Sequence, residues 1–306
     1  PVHTGALQTG NAVARQTTDP DDQTQGEYVG PDRAMQVIAR GDGEFELIVY
    51  QGGLPGAGAR PSEPQRLDGD IDVVESLVES MDMKRVDRKS PTLGTPAPEG
   101  AVVLFDGTKA PVDQNWKNGR LSDEGWLLEG TTSKQTFRDY SLHLEFRLPW
   151  MPTQSGQARG NSGLYHQGRY ETQILDSFGL RGRDNECGGI YGIRAPSFNA
   201  CLPPLRWQTY DVDFTAARFD DSEKKVSDAR MTVRLNGMLV QDDVVVSRKT
   251  TAAPLGESPE PGPIYLQDHG NPVRFRNIWI VPRDAQREAN RPIVPGFERF
   301  FAATSM

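Results

Sequence analysis

The chain has 306 residues, a formal net charge of −8 and a mean hydropathy of −0.59. An acidic chain without a basic stripe is a poor partner for nucleic acid, and no run of 18 apolar residues is present that would span a bilayer as a helix. Its 31 glycines and 23 prolines make about 18% of the chain, against roughly 12% in an average protein. Since this excess has no period, collagen is excluded and a turn-rich β globule is favoured.

The first 100 residues divide into three segments by composition. Residues 1–25 have no apolar period, which predicts an irregular arm. Residues 26–88 are predicted to be a small β-rich region, because the strand-like runs 35–39 and 44–50 are joined by the turn residues 40–43. Within it, residues 70–86 fit either one helix, with Val74, Leu77, Val78 and Met81 on a stripe, or two strands.

Three prolines, Pro91, Pro96 and Pro98, bias residues 89–100 toward extended backbone. This segment is therefore predicted to be a linker at a domain boundary, and the main domain is expected at 101–282. Residues 283–306 are predicted to be a tail, in which Phe297, Phe300 and Phe301 are candidates to dock on the body.

Residues 101–282 show persistent alternation of polar and apolar side chains. In the run 141–148, Leu142 and its alternates are expected to pack, while His143, Glu145 and Arg147 are expected to face water or a cleft. Asn236-Gly237 indicates a tight hairpin, and no helix of ten or more residues is evident. Many short strands with turn signals between them predict an all-β sandwich or jelly roll. The further strands are expected at 162–167, 170–175, 209–215, 229–235, 240–246, 264–267 and 273–280.

The strand 170–175 carries the strongest chemical signal. If Tyr170, Thr172 and Ile174 face the core, Glu171 and Gln173 stand about 7 Å apart on the opposite face. A carboxylate beside an amide suits sugar hydroxyls, because one group only accepts hydrogen bonds and the other both donates and accepts. The alternative is an ordinary solvated strand face, which the period alone favours.

Two further runs contain candidate residues. His269 is a natural proton shuttle at a strand end and Asp268 precedes it, although a polar turn explains the pair equally well. The glycine-rich loop 184–192 lacks the lysine and the strand–helix context of a phosphate cradle. Trp116 and Trp207 are each either a platform for a sugar ring or a core residue.

Cys187 and Cys201 are the only cysteines of the chain. In an oxidising compartment a disulfide between them is favoured over two thiols, and closing a loop of about 15 residues would stabilise the fold by roughly 3 kcal/mol. A metal site is less favoured because no histidine pair is nearby.

Several motifs occur in an order that resembles the 3-keto-disaccharide hydrolase domain family. The resemblance covers about residues 101–282. It implies a concanavalin A-like jelly roll of two antiparallel sheets with a concave carbohydrate-binding face, similar to lectins and family 16 glycoside hydrolases, in a secreted or periplasmic bacterial protein. The motifs are LFDG (104–107), GNSGLY (160–165), RYETQILDS (169–177), GGIYG (188–192), WQTYDV (207–212), LNG (235–237) and GPIYLQDHGNPVRFRNIWI (262–280).

The resemblance also implies a reaction. Family 16 enzymes place acidic residues at alternate positions of the cleft strand, where this chain has Glu171, Gln173 and Leu175. The second carboxylate of a retaining glycosidase, about 5 Å from the first, is thus missing from this strand. The implied substrate is a glycoside with a ketone at C3, which acidifies the C2 proton. A single base can then remove that proton, and elimination at C1 followed by hydration gives net hydrolysis.

On this interpretation Glu171 or His269 is the base. The residues expected to bind the glycoside substrate are Asn161, Arg169, Gln173, Tyr191, Trp207 and Asp268. A divalent cation such as calcium is left open, with Asp176 and Glu186 as weak candidate ligands. The competing hypotheses are a lectin-like module without catalysis and a scaffold or adhesion protein. Convergence of Glu171 and His269 in one pocket would favour the enzyme.

Overall fold

A computed structural model of the chain describes residues 19–283. Residues 1–18 of the predicted arm 1–25 and the tail after residue 283, including its three phenylalanines, lie outside the described residues. The described end of that arm is not irregular, because residues 20–24 form a short helix. The described part contains no helix that is long and apolar enough to cross a membrane. Its α-helices are α1 (Pro20–Thr24), α2 (Ile71–Ser80) and α3 (Lys109–Asn115), and residues Gly156–Ala158 form a single 3₁₀ turn.

Residues 19–88 form a five-stranded antiparallel sheet with α2 packed on it. The predicted hairpin is confirmed, since Asp42 and Gly43 adopt positive φ between two paired strands. The ambiguous segment 70–86 is a helix followed by one strand. The carboxylate of Asp70 caps the helix by accepting the N–H of Val73 at 3.1 Å. In the order of the sheet, the strands are β4 (Gln65–Gly69), β3 (Glu44–Gln51), β2 (Arg33–Gly41), β1 (Gly26–Val29) and β5 (Lys84–Val86).

Both faces of this small sheet are covered. On one face Met35, Val37 and Leu47 are buried together with Val74 of α2. On the other face Ile38 and Ile48 pack against Phe178, which belongs to a loop of the main domain. The N-terminal sheet is therefore docked on the main domain through an apolar contact.

The main domain is a sandwich of two antiparallel sheets, which confirms the predicted jelly-roll class. The larger sheet contains β17 (Met238–Val246), β16 (Ala229–Leu235), β13 (Trp207–Thr215), β10 (Tyr140–Arg147), β19 (Arg274–Pro282) and β6 (Val102–Phe105), with β8 (Leu127–Leu128) beside β19. The smaller sheet contains β12 (Tyr170–Ile174), β11 (Ser162–His166), β18 (Gly262–Leu266), β9 (Thr131–Phe137) and β7 (Trp116–Lys117). A separate ribbon pairs β14 (Arg218–Phe219) with β15 (Lys225–Ser227).

The core fills the space between the two sheets. Leu142, Leu144 and Phe146 of β10 are fully buried there, as the alternation predicts. His166 is also a core residue: its ring nitrogens lie 2.9 Å from the Tyr140 hydroxyl and 3.1 Å from the Thr172 hydroxyl. Burial lowers the pKa of His166 to about 3, so it is a neutral structural imidazole.

The outer face of the larger sheet differs from the prediction. His143, Glu145 and Arg147 are buried. Residues 90–95 of the expected linker lie across this face at Glu145 and Asp211, and Arg147 lies over the Trp126 ring with 4.9 Å to its centroid. The Gly94 N–H donates to Glu145 at 2.6 Å, and the Thr92 hydroxyl donates to Asp211 at 2.7 Å. This segment, residues 90–95, is here called the strap; it covers the sheet instead of bridging open solvent.

The predicted disulfide is not formed in the structure. Cys187 and Cys201 are free, buried thiols. Cys187 Sγ lies 3.3 Å from the Tyr210 hydroxyl, and Cys201 Sγ donates to the carbonyl of Leu202 at 3.4 Å. The loop that contains them is held by amide contacts, such as the side chain of Asn199 donating to the carbonyl of Ser177 at 2.6 Å.

We expect Phe178→Ala to lower the free energy of unfolding by about 3 kcal/mol, because removing a buried phenyl ring leaves a cavity between two packed units. Guanidinium denaturation followed by circular dichroism measures this. Val226→Ala, at a side chain that is 62% exposed, is the control and should stay within about 0.5 kcal/mol of the parent. Equal stability of the two variants would show that the N-terminal sheet is not coupled to the sandwich.

Candidate active site

The candidate site lies on the outer face of the smaller sheet, where β11 and β12 pair. Glu171 stands opposite Tyr165, and Gln173 stands opposite Gly163. The predicted alternation of β12 is confirmed, since Tyr170 and Ile174 face the core. The solvated alternative is wrong: Glu171 is 2% exposed and Gln173 is 1% exposed.

The Glu171 carboxylate has one hydrogen-bond donor for each oxygen. The Tyr165 hydroxyl donates to Oε2 at 2.7 Å. The side-chain amide of Gln173, oriented to donate, lies 3.0 Å from Oε1 and also 3.0 Å from the carbonyl of Ser162. These two contacts fix the plane of the carboxylate on the sheet.

Burial dominates the electrostatics of Glu171. Loss of solvation raises the pKa of its carboxyl, the hydrogen bond from Tyr165 lowers it in part, and the result is about 7. A carboxyl with this pKa exists in both protonation states near neutral pH. Such a group can accept a proton in one step and return it in another.

Gly163 creates the space that the carboxylate occupies. A Cβ atom at this position would lie 2.9 Å from Cε2 of Tyr165 and closer still to Oε1 of Glu171. Any other residue at 163 would thus displace the carboxylate from the sheet. The glycine predicted to be part of a motif has a steric role here.

Neutral amides line the side of the site next to Gln173. The side chain of Asn161 donates to the carbonyl of Gln157 at 2.8 Å, and its backbone N–H donates to the side chain of Asn271 at 2.7 Å. The side chain of Gln157 donates to the carbonyl of Asn185 at 2.9 Å. Since amides both donate and accept hydrogen bonds, this side can bind a hydroxyl group either as a donor or as an acceptor.

Arg159 connects these amides to the N-terminal sheet. It is buried, pairs with Asp176 at 2.6 Å, and donates to the carbonyl of Ala39 in β2 at 3.2 Å. It lies between Gln157 and Asn161 in the chain. The docked sheet therefore supports the loop that presents both amides.

Strand β18 reaches the site through Gln267, not through the residues predicted. The Gln267 side chain donates to the Tyr165 hydroxyl at 3.2 Å. Asp268 and His269 are exposed in the turn that follows, where Asp268 accepts the N–H of Gly270 at 2.8 Å. Among the described residues, no hydrogen bond joins His269 to Glu171.

The other predicted binding residues divide by position. Asn161, Gln173 and Tyr191 lie at the site, and the Tyr191 N–H donates to the carbonyl of Glu171 at 3.1 Å. Arg169 instead holds a distant loop by donating to the carbonyl of Gly256 at 2.7 Å. Trp207 lies on the other sheet.

Trp207 and Trp116 both pack against other groups of the protein. The Arg276 guanidinium lies 4.0 Å from the Trp207 ring centroid, and Trp126 contacts the same ring edge-on at 5.3 Å. A guanidinium and a second indole ring therefore contact Trp207, where a sugar ring was expected to stack. Trp116 is a core residue whose indole N–H donates to the carbonyl of Leu104 at 2.9 Å.

The weak metal candidates are both engaged within the protein. Asp176 pairs with Arg159, and Glu186 accepts the backbone N–H groups of Gly182 and Arg183 at 2.6 and 3.0 Å. Residues 19–283 contain no group of three or more His, Cys, Asp or Glu side chains placed to hold a metal ion. The carboxylates proposed for calcium thus act as an ion-pair partner and a loop cap.

Sequence reasoning did not assign roles to Tyr165, Gln267, Gln157 and Asn271. Tyr165 was accessible from the pattern, because the three-residue turn 167–169 after His166 places 165 opposite 171 on the same face. Gln157 lies in a single 3₁₀ turn (Gly156–Ala158) and Asn271 in a loop, and neither is long enough for periodicity to report the direction of a side chain.

Residues 100–281 match the model of the 3-keto-alpha-glucoside-1,2-lyase-like domain family. A solved protein of Parabacteroides distasonis, described as a candidate glycosyl hydrolase, is 32% identical over 61% of this chain and 86% of its own, with a TM-score of 0.55. Two more such proteins of that organism are 22% and 21% identical, cover 61% and 60% of this chain and 95% and 99% of their own, and have TM-scores of 0.42. Comparison with curated proteins gives no significant match.

The raised pKa of Glu171 has a consequence for stability. Between its ordinary pKa of 4.5 and about 7, the folded state keeps a proton that the unfolded state releases, so the contribution of Glu171 to stability falls as pH rises through this window. Glu171→Gln removes the effect. Urea denaturation should therefore show the variant gaining roughly 3 kcal/mol relative to the parent between pH 4.5 and pH 8. A difference that is constant with pH would mean that the carboxyl titrates normally.

Proposed function

Since the chain belongs to the 3-keto-alpha-glucoside-1,2-lyase-like domain family, we propose that it cleaves glycosides that carry a ketone at C3. The family and the 32% identical relative make it a glycosyl hydrolase-like, carbohydrate-active protein. The observation that carries the finer proposal is a single buried carboxyl, Glu171, with a pKa of about 7 and no second carboxylate among its described contacts.

One poised carboxyl suits elimination better than displacement. A retaining or inverting glycosidase needs two carboxyl groups, one on each side of the scissile bond. A ketone at C3 makes the C2 hydrogen acidic, so one base is sufficient to start the reaction. The pKa of about 7 gives Glu171 a useful basicity at neutral pH without making it fully protonated.

The proposed reaction has two stages. Glu171 removes the C2 proton, and the electron pair of the C–H bond forms an enolate on the C3 oxygen. The enolate then collapses, the C2–C1 double bond forms, and the C1–O bond breaks, with its electrons leaving on the aglycone oxygen. Glu171 gives the proton it took from C2 to that oxygen, which completes the aglycone. Water then adds to the C1–C2 double bond of the enone, its hydroxyl to C1 and its hydrogen to C2, and gives the free 3-keto sugar.

The amides beside Glu171 supply the remaining functions. The side-chain amides of Asn161 and Gln157 offer N–H groups to the enolate oxygen and oxygens to ring hydroxyls. The amide N–H groups of Gln173 are engaged by Glu171 and the carbonyl of Ser162. Because the hydrogen-bond partners described for Glu171 are an amide and a phenol, we propose that the bound sugar is uncharged. A carboxylate on the substrate would find no described cation at this position to pair with.

A lectin-like module without catalysis is the second candidate. The amide cluster favours it, since amides alone are enough to bind hydroxyls. A binding module has no use for a buried carboxyl of raised pKa, whose ionisation opposes folding. Turnover of keto-glycosides separates the two functions.

We expect Glu171→Gln to reduce turnover of a 3-keto-glucoside by at least about a hundredfold, because the amide cannot accept the C2 proton. The assay uses a panel of 3-keto-glycosides beside their unoxidised parents and follows enone absorbance and released aglycone. His269→Gln tests the exposed imidazole and should cost less than about tenfold. If His269→Gln were as inactive as Glu171→Gln, the base would be misassigned.

We expect Gly163→Ala to reduce turnover by at least about a hundredfold as well, because its methyl group displaces the carboxylate from its place on the sheet. Gly256→Ala is the matched control, since a Cβ there has nothing within 4 Å and no left-handed φ to strain. Circular dichroism establishes that both variants fold. Full activity of folded Gly163→Ala would show that the position of the carboxylate is unimportant.

A further inference from the structure

Tyr165 is the only neighbour of Glu171 that offers it a hydroxyl proton within the described residues. The two residues are directly opposite on β11 and β12, and both point to the outer face of the smaller sheet. The phenol oxygen lies 2.7 Å from Oε2 of Glu171. Its ring is fully buried and packs on Tyr265 with centroids 5.4 Å apart, which restricts its rotation.

Gln267 determines where the phenol proton points. A tyrosine hydroxyl has one hydrogen to donate and lone pairs that accept. Its lone pair accepts the side-chain N–H of Gln267 at 3.2 Å, so its single proton is free for Glu171. Burial and the nearby carboxylate also raise the pKa of Tyr165, which keeps the proton on the phenol.

We propose that Tyr165, directed by Gln267, is the positioning residue of the site: it orients the Glu171 carboxylate and stabilises its charged form. The assignment rests on the proposed function for its catalytic consequence, while the contact itself does not. A hydrogen bond to the ionised form favours that form. Without it, Glu171 stays protonated to a higher pH and loses a constraint on its orientation.

The chain contains a matched control on the adjacent residue of β12. The Tyr170 hydroxyl donates to the carboxylate of Glu257 at 2.8 Å, so Tyr170→Phe also removes a tyrosine–glutamate hydrogen bond. It does so outside the site, because Tyr170 faces the core and Glu257 also contacts Lys225. The two variants thus differ in which glutamate loses its partner.

Tyr165→Phe should shift the acid limb of the kcat/KM profile upward by about one pH unit and lower its plateau roughly tenfold. Difference infrared titration should show the same upward shift in the midpoint of the Glu171 carboxyl band without any substrate. The band is assigned to Glu171 by its absence from the Glu171→Gln variant. Tyr170→Phe should leave both midpoints in place. Gln267→Leu keeps the phenol but removes the N–H group that donates to it, so it should give a smaller shift in the same direction. This variant tests the proposal if Tyr165→Phe fails to fold.

The infrared and kinetic measurements test the positioning role and the proposed function independently. A shifted infrared midpoint with no turnover of any keto-glycoside by the parent would reject the proposed function and retain the pair. An unshifted infrared midpoint in folded Tyr165→Phe would overturn the positioning role whatever the kinetics. An equal shift in Tyr170→Phe would overturn it too, since the effect would then be a general one on the strand.

Discussion

The functional interpretation depends on one electrostatic constraint: a carboxyl group is held out of water with no cation against it. Water stabilises a carboxylate more strongly than two neutral donors do, so the site is maintained at the expense of folding stability. Three features of the fold make the position possible. The pleat of β12 turns Glu171 away from the core, Gly163 leaves room on the neighbouring strand, and Tyr165 and Gln173 provide one donor for each oxygen.

The outer face of the larger sheet shows the opposite arrangement. His143 lies 2.6 Å from Asp211 and 3.6 Å from Glu145, and Glu145 also pairs with Arg276 at 2.6 Å. Burial lowers the pKa of His143, but the hydrogen bonds and charges of the two acids outweigh it and raise that pKa to about 9. Burial likewise raises the pKa of Glu145, but its donors and Arg276 outweigh this and lower it to about 2.

The buried glutamates on the two outer faces differ in whether their charge is compensated, and their pKa values are shifted in opposite directions. Glu145 under the strap is matched by Arg276 and by the Gly94 N–H, so it stays ionised, and Glu145 and Asp211 both hold residues 90–95 in place by hydrogen bonds. Glu171 has no such match and titrates near neutrality. Glu145 and Glu171 are both buried, and they differ in whether a cation compensates the charge.

The strands of the sandwich and the outward direction of residues 171 and 173 were predictable, because a period of two requires only local sequence and a core on one side. The strap was not. Its prolines predict extended backbone, whereas residues 91–94 form turns in which the Leu93 N–H donates to the carbonyl of Ser90 at 3.2 Å. Whether such a segment crosses solvent or a sheet depends on distant partners such as Glu145 and Asp211. Arg159 is missed for the same reason, since its acceptor, the carbonyl of Ala39, lies 120 residues away in the chain. The two cysteines are neighbours in the structure, as the loop between them allows, but they are free thiols that also contact the Tyr210 hydroxyl and the carbonyl of Leu202.

The N-terminal sheet supports the loops on both sides of the candidate site. The family match starts at residue 100, yet residues 19–88 contact the loops on both sides of the site. Phe178 follows β12 by four residues and packs on Ile38 and Ile48, while Arg159 precedes β11 by three residues and binds Ala39. Both ends of the hairpin that carries Glu171 are therefore tied to one rigid sheet. A carboxylate whose reactivity depends on two hydrogen bonds needs such support, because small displacements of a strand would break them.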